Sequence, residues 1–227
     1  MLYDETAVRD NIRNRDGKRV FYLGKEDRLT PSAKDYLSSQ RVEILPVEEA
    51  KVTRYRLLGG GFVEEKPEHM THLQADLLVP KNHPRIRFRG AIDILEAELL
   101  LCQHHVPYRA GQLGEILALT RKLIRCDVLN EPVDEVRLCG LTEEEQRKRS
   151  HFPQNYYGQP HFMPEVVDGE KILWLNRCRC VCRAAELAAV DAFTDGEGNP
   201  TRIDILRALN RMSSMLYILM IGEKAGK

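Results

Sequence analysis

The sequence predicts an all-α protein: an antiparallel bundle of four or five helices with a small α/β module at its N-terminus. Three observations carry that prediction. Apolar residues recur every three to four positions in four long stretches beyond residue 84, the spacing of a helix with one buried face. Strand-like runs are confined to the first 50 residues. Aromatic residues make up only 7% of the chain and charged residues 30%, the balance of helices with solvated outer faces.

Taken in order, residues 1–50 form the α/β module. Residues 19–23 (RVFYL) read as a strand and residues 42–45 (VEIL) alternate like a second. Between them Thr30 is placed to cap a helix that has Pro31 in its first turn. Two short strands do not make a stable sheet alone, so the module should lean on the main domain or on a partner. Residues 51–70, with Gly59, Gly60 and Gly61 followed by EEKPEH, read as a linker or loop, and residues 71–227 as the helical domain.

Within that domain Ile92, Leu95, Leu99 and Cys102 mark the first helix, flanked by Arg89, Asp93 and Glu96. Leu113, Ile116, Leu117, Leu123 and Ile124 mark a second, which ends near Pro132. Thr142 and Glu145 form a capping-box pattern that opens a short charged helix. Residues 151–167 hold three prolines, a glycine and four aromatic residues, and read as an irregular loop. A long helix follows from about Gly169, residues 196–200 turn, and Ile205, Leu206, Leu209, Met212, Leu216 and Leu219 mark the last helix.

Residues 175–193 (LNRCRCVCRAAELAAVDAF) organise the rest. Cys178, Cys182, Ala185, Ala189 and Ala192 form a small-residue seam for close packing. Asn176, Arg179, Arg183, Glu186 and Val190 run beside it, so two arginines one turn apart sit at the edge of the core. Charges kept there need acids on a neighbouring helix or an anionic ligand. Taken alone, this helix reads as a salt-bridged surface helix. On the last helix Arg207, Asn210, Ser214 and Tyr217 make a second polar stripe.

Composition and motifs exclude several classes. Lys and Arg total 34, as do Asp and Glu, so there is no basic footprint for nucleic acid and no polybasic membrane patch. The longest apolar run, near residues 215–221, is too short to span a bilayer. No secretory signal is read at the start, and six scattered cysteines suit a reducing cytosol. Neither GxxxxGK(S/T) nor GxGxxG is present. Cys178, Cys180 and Cys182 do not converge, because helix positions two apart point roughly 200° from one another; they read as packing thiols. His69 and His72 would share a face only if helical, and His104–His105 reads as a C-terminal dipole contact. His151 and His161 share the aromatic loop with Phe152, Tyr156, Tyr157 and Phe162, which either caps the bundle or covers a large flat ligand.

Four blocks together resemble the cobalamin adenosyltransferases, most closely the ethanolamine-utilization (EutT-type) branch related to the PduO-type enzymes. Residues 71–99 carry Thr71, Val79-x-Lys81-x-x-Pro84-Arg85 and Gly90-x-x-Asp93 at the family's spacing. Residues 179–186 (RCVCRAAE) are similar to its Arg-x-x-Cys-Arg-x-Ala-Glu helix, and residues 204–217 (DILRALNRMSSMLY) to its closing helix. RLTPSAKDYL and SHFPQNYYGQPHFMP match the branch. Two departures stand out. KPEHMT replaces the family's glycine-rich loop before the matching threonine, and no cysteine precedes Cys102, where some relatives carry a His/Cys metal cluster.

The resemblance implies an ATP:cob(I)alamin adenosyltransferase that moves the 5′-deoxyadenosyl group of ATP to cobalt, supplying adenosylcobalamin to an ethanolamine ammonia-lyase. It implies ATP with magnesium, cobalamin as substrate and an external reductant, while the missing upstream cysteines imply no protein-held metal. Thr71, Lys81, Arg183, Glu186 and Asn210 would hold ATP. Asp93 would pair with Arg179 of an adjacent subunit in a homo-oligomer whose sites lie at the interface. Tyr156, Tyr157, His161 and Phe162 would cover the corrin, with either His161 or Phe162 facing the cobalt. Cobalt(I) is a strong enough nucleophile to need no protein base, so positioning, positive charge for the leaving phosphates and dryness are what the protein must supply. The implied location is the cytoplasm, with a bacterial microcompartment as the narrower placement. A second reading is a noncatalytic helical module that binds cobalamin or docks on a partner enzyme or shell; a third is a plain structural bundle.

Overall fold

The structure, a computed structural model, describes residues 1–15, 17–47 and 54–226. It divides into two units, Met1–Lys66 and Pro67–Lys227. In the first, β1 (Leu2–Tyr3) pairs in parallel with β4 (Arg28–Leu29). β3 (Lys18–Leu23) lies between antiparallel β2 (Arg13–Arg15) and parallel β5 (Glu43–Pro46). Helices α1 (Glu5–Asn11) and α2 (Pro31–Ser39) pack on one another, and Thr30 caps α2 by accepting from the Ala33 amide at 3.3 Å. Val8, Phe21, Ala33, Leu37 and Val42 form this unit's own core. Among its described residues the module therefore has five strands where the sequence suggests two, the additional three being only two or three residues long.

Where the sequence reads a linker, described residues 54–66 contain a hairpin of β6 (Tyr55–Leu57) and β7 (Phe62–Val63). Gly60 and Gly61 supply its turn, at φ +94° and +84°, angles that glycine adopts without strain. Residues 51–53 of that expected linker lie outside the described residues.

The second unit opens with another hairpin, β8 (Met70–Gln74) and β9 (Leu77–Pro80), in place of a continuation of the linker into helix. Four long helices follow: α3 (Pro84–His105), α4 (Ala110–Leu129), α7 (Glu170–Phe193) and α8 (Ile203–Lys224). Pro107 breaks the chain into one 3₁₀ turn between α3 and α4, and Asn130 ends α4 in a left-handed cap at φ 55°. α3 packs on α4 and α7, and α7 on α8, an antiparallel bundle. The second half of α8 is buried almost all round, from Met215 through Gly222, as befits the bundle's central helix.

The seam predicted on α7 is the packing face. Cys178, Cys182, Ala185 and Ala189 are fully buried, and Ala192 is partly buried against the core. The Cys178 thiol donates to the Glu98 carbonyl at 3.3 Å and Cys182 to that of Leu209 at 3.4 Å, so both sulfurs bind helices to one another. Burial pushes the Cys182 thiol up, which keeps it protonated and inert. Cys180 is exposed, as its position two residues from each neighbour requires.

Two shorter helices complete the unit. α5 (Glu143–His151) begins with the predicted capping box of Thr142 and Glu145. α6 (Pro153–Tyr157) lies within the segment read as irregular loop; Pro153 starts it and Gly158, left-handed at φ 69°, stops it. His105 does more than meet the helix dipole: its ring stacks on Trp174 at 4.2 Å and Nδ1 lies 2.8 Å from Glu170.

At the start of α8, Asp204 accepts from Arg202 at 2.8 Å and from the Val133 amide at 2.9 Å. Burial pushes the Asp204 carboxyl up, but these donors outweigh it and hold it at about 2, below the ordinary 3.8. The folded-state value is the lower one, so this stabilisation is complete above about pH 4 and disappears as pH falls through 2. It amounts to about 2 kcal/mol. Asp204→Asn should therefore destabilise the protein at pH 7 and flatten its stability between pH 4 and 2, read by urea unfolding at each pH.

Candidate active site

A cleft of about 250 Å³ opens between α7, α8 and the end of α5. Arg179 and Arg183 line it from α7, Asn210, Ser213, Ser214 and Tyr217 from α8, and Ser150 and His151 from α5; His161 closes one side from the loop after α6. Arg179 and Arg183 of one predicted stripe and Asn210, Ser214 and Tyr217 of the other thus face one cavity.

Its polar groups divide into a fixed set and a free set. Asn210 donates to Glu186 at 3.0 Å and accepts from Arg211, whose guanidinium also reaches the Glu143 carbonyl at 3.4 Å. Both ends of the Asn210 amide are occupied, so the glutamate and asparagine hold each other and brace α7 on α8. Arg179 donates twice to Asn176, at 3.0 and 3.2 Å, and lies 5.8 Å over the Tyr217 ring. Among the described residues no carboxylate pairs with Arg179, and Arg183 makes neither a hydrogen bond nor an ion pair. Two cations without acidic partners at the edge of a cleft suit an anion, and the planar guanidinium fork suits phosphate in particular.

The remaining predicted residues lie elsewhere. Thr71 is on β8 opposite Val79, and Lys81, just beyond β9, pairs with Glu68 at 3.0 Å. Asp93 is exposed on α3 and makes no ion pair among the described residues. Of Tyr156, Tyr157, His161 and Phe162, expected to cover the corrin, His161 alone among the described residues lines the cleft. Phe162 packs against the core beneath Lys224, whose ammonium is 5.4 Å from the ring centre. Tyr156 stands under Arg149 at 5.5 Å. Tyr157 lines a neighbouring cleft with Met215, Ile218 and Leu219. His83 caps α3 by accepting from the Arg85 amide at 3.2 Å; among the described residues no three His, Cys, Asp or Glu side chains converge on a metal site.

Ser150 and Ser213 are site residues that helical spacing does not reveal. Ser213 follows Asn210 by three positions, yet it sits on the buried side of the stripe, and Ser150 enters only because α5 packs on α8.

Comparison with known proteins bears on what the cleft serves. Residues 62–222 match the family model for cobalamin adenosyltransferase. The chain belongs to the cobalamin adenosyltransferase family. It is 31% identical over 242 residues to the corrinoid adenosyltransferase EutT of Salmonella typhimurium, covering 96% of this chain and 90% of that one. The EutT of Escherichia coli K12 is 30% identical with the same coverage. Among solved structures, a variant PduO-type ATP:corrinoid adenosyltransferase from Lactobacillus reuteri, complexed with cobalamin and ATP, superimposes with a TM-score of 0.47 and 17% identity. It covers 77% of this chain and 90% of its own. For this cobalamin adenosyltransferase the family match runs from β7 to Gly222 near the end of α8, and so includes every residue that lines the cleft.

Proposed function

We propose that this ATP:cob(I)alamin adenosyltransferase holds its substrates in the cleft between α7 and α8. The observation that carries the reading is Arg179 and Arg183, two guanidinium groups without acidic partners among the described residues, facing the hydroxyl and amide stripe of α8 across a cavity. The reaction replaces the bond between C5′ of ATP and its triphosphate with one from C5′ to cobalt, and the triphosphate leaves with the bonding electrons. Arg183 neutralises that leaving group, and Arg179, braced on Asn176, closes the edge of the site. Glu186 and Asn210, locked together, set the distance between the two helices and leave the adenosine's hydroxyls to meet Ser214 and their outer edges. Thr71 and Lys81 lie outside this cleft and join the ATP set from the β8–β9 hairpin of a second copy at the interface, and ATP brings its magnesium with it. Of the residues expected over the corrin, His161 supplies the wall at this cleft, while Tyr156, Tyr157 and Phe162 stand outside it.

The exposed Asp93 is the acid that Arg179 lacks, and it pairs with the Arg179 of a second copy in a homo-oligomer. Ile94 and Leu101 on α3 and Leu187 on α7 are also exposed, an apolar face suited to that contact. A reductant supplies cobalt(I), and the product passes to an ethanolamine ammonia-lyase in the cytoplasm or a bacterial microcompartment; the EutT relatives support the link to ethanolamine utilization alone.

Mixing tests the shared site. Asp93→Ala and Arg179→Ala should each be nearly inactive when purified alone. Co-expressed, they should regain a sizeable fraction of wild-type turnover, because an intact Asp93 from one copy meets an intact Arg179 from the other. Two inactive parents whose mixture stays inactive would contradict an interface site.

A further inference from the structure

We infer that His161 is a positioning residue that fastens the loop between α6 and α7 onto α8 through Tyr217, and that it does not ligate the metal of the corrinoid substrate. The inference rests on the cleft being the substrate site proposed above. It begins from hydrogen-bond chemistry. His161 Nε2 lies 3.1 Å from the backbone carbonyl of His151, which can only accept, so Nε2 carries the proton. In the neutral imidazole Nδ1 is then the acceptor, and the Tyr217 hydroxyl, 2.7 Å away, donates to it. A histidine binds a metal through an unprotonated nitrogen; here the single lone pair is taken by a phenol and the other nitrogen by a carbonyl. The two rings lie nearly parallel, 14° apart with centroids at 5.6 Å, so stacking adds to the bond.

A second fastening follows along the same loop. The Asp168 carboxylate, its side chain only 3% exposed, pairs with Lys224, and the Lys224 ammonium also covers the Phe162 ring. Tyr217 and Lys224 are seven residues apart, two turns on one face of α8. Asn210 and Ser214 continue that face in the other direction, toward the arginines. One helix face therefore sets the register between the loop and the cleft. Tyr217 belongs to both parts, since Arg179 rests 5.8 Å over its ring.

The geometry separates two roles that a histidine at a corrinoid site can play. A ligand would be needed for its nitrogen; a fastener is needed for its two directions of bonding. Tyr217→Phe keeps the ring, its stacking and the Arg179 contact, and removes only the hydroxyl. Its expected effect is a KM for cobinamide, a corrinoid without its own lower base, raised roughly two- to tenfold, the worth of one hydrogen bond. The loss should fall on that KM rather than on kcat. His161→Ala should reproduce it. His161→Asn, whose amide oxygen occupies the place of Nδ1, should recover most of it. Electron paramagnetic resonance of Co(II)-cobinamide bound with ATP gives an independent readout: the wild type should show no three-line splitting from an axial nitrogen.

A nitrogen splitting present in the wild type and lost in His161→Ala would overturn the inference, and so would a wild-type KM in Tyr217→Phe. Arg183→Ala, assayed alongside, distinguishes the failures. If it is inactive while Tyr217→Phe behaves as wild type, only the fastening is wrong. If both retain normal turnover, the cleft itself is misassigned.

Discussion

Arg183→Ala is expected to lower adenosyl transfer from ATP to reduced cobalamin by at least about a hundredfold, the effect of deleting one preorganised group that meets charge developing in the transition state. The light-sensitive cobalt–carbon product, followed spectroscopically, measures it directly. Arg183 is well suited to the test because it is exposed on α7 and has no partner among the described residues. Its removal breaks no bond that holds the fold, so thermal stability should change by no more than about 0.5 kcal/mol. The loss in rate is then chemical rather than structural. Arg183→Lys should recover part of the activity, since lysine restores the charge without the two-pronged geometry. Near-normal turnover in Arg183→Ala would remove the basis for placing the leaving phosphates in this cleft.

The parts of this structure that sequence reading reached are those that depend on helical periodicity. The seam of Cys178, Cys182, Ala185 and Ala189 and the flanking Arg179 and Arg183 follow from spacing alone, because a 24-residue helix repeats its faces many times. Asn210, Ser214 and Tyr217 were legible on α8 for the same reason. The β8–β9 hairpin was not. Its turn carries Ala75 at φ 45° with no glycine to mark it, and a bulge between His72 and Gln74 breaks the alternation that identifies strands. The sequence implies one covering layer from the aromatic loop, but the five-residue helix α6 and its left-handed stop at Gly158 turn Tyr156 and Tyr157 away from His161. Residues within two turns of each other in sequence thereby reach three different surroundings.

Asp127 is where the largest structural effect is expected. It is completely buried at the end of α4 and receives two arginines from the start of α3: Arg85 at 2.6 Å and Arg89 at 2.6 Å. Arg89 continues to the carbonyls of Leu73, at 2.7 Å, and His72, while Gln74 reaches back to the Val128 carbonyl at 3.2 Å. The cluster clamps α3, α4 and β8 at one end of the bundle. Burial, followed by the charges of Arg85 and Arg89, also holds the His83 pKa below its ordinary value, which keeps its Nδ1 free to accept from the Arg85 amide. Asp127→Ala leaves two mostly buried guanidinium groups facing each other with no anion between them. The cost should be about 3–5 kcal/mol. For a unit of this size that lowers the melting temperature by about 6–20 °C, followed by the helical signal in circular dichroism. Asp127→Asn, which keeps the shape and one acceptor oxygen, should lose less. A triple variant with apolar residues at Arg85, Arg89 and Asp127 should recover stability relative to Asp127→Ala, because the penalty comes from stranded charge rather than from lost attraction. It should not recover full activity, since β8 carries Thr71 and leads through β9 to Lys81, and the arginine bonds to Leu73 and His72 are what anchor that strand. A melting shift of less than about 2 °C for Asp127→Ala would mean the cluster behaves like an exposed ion pair, despite its burial.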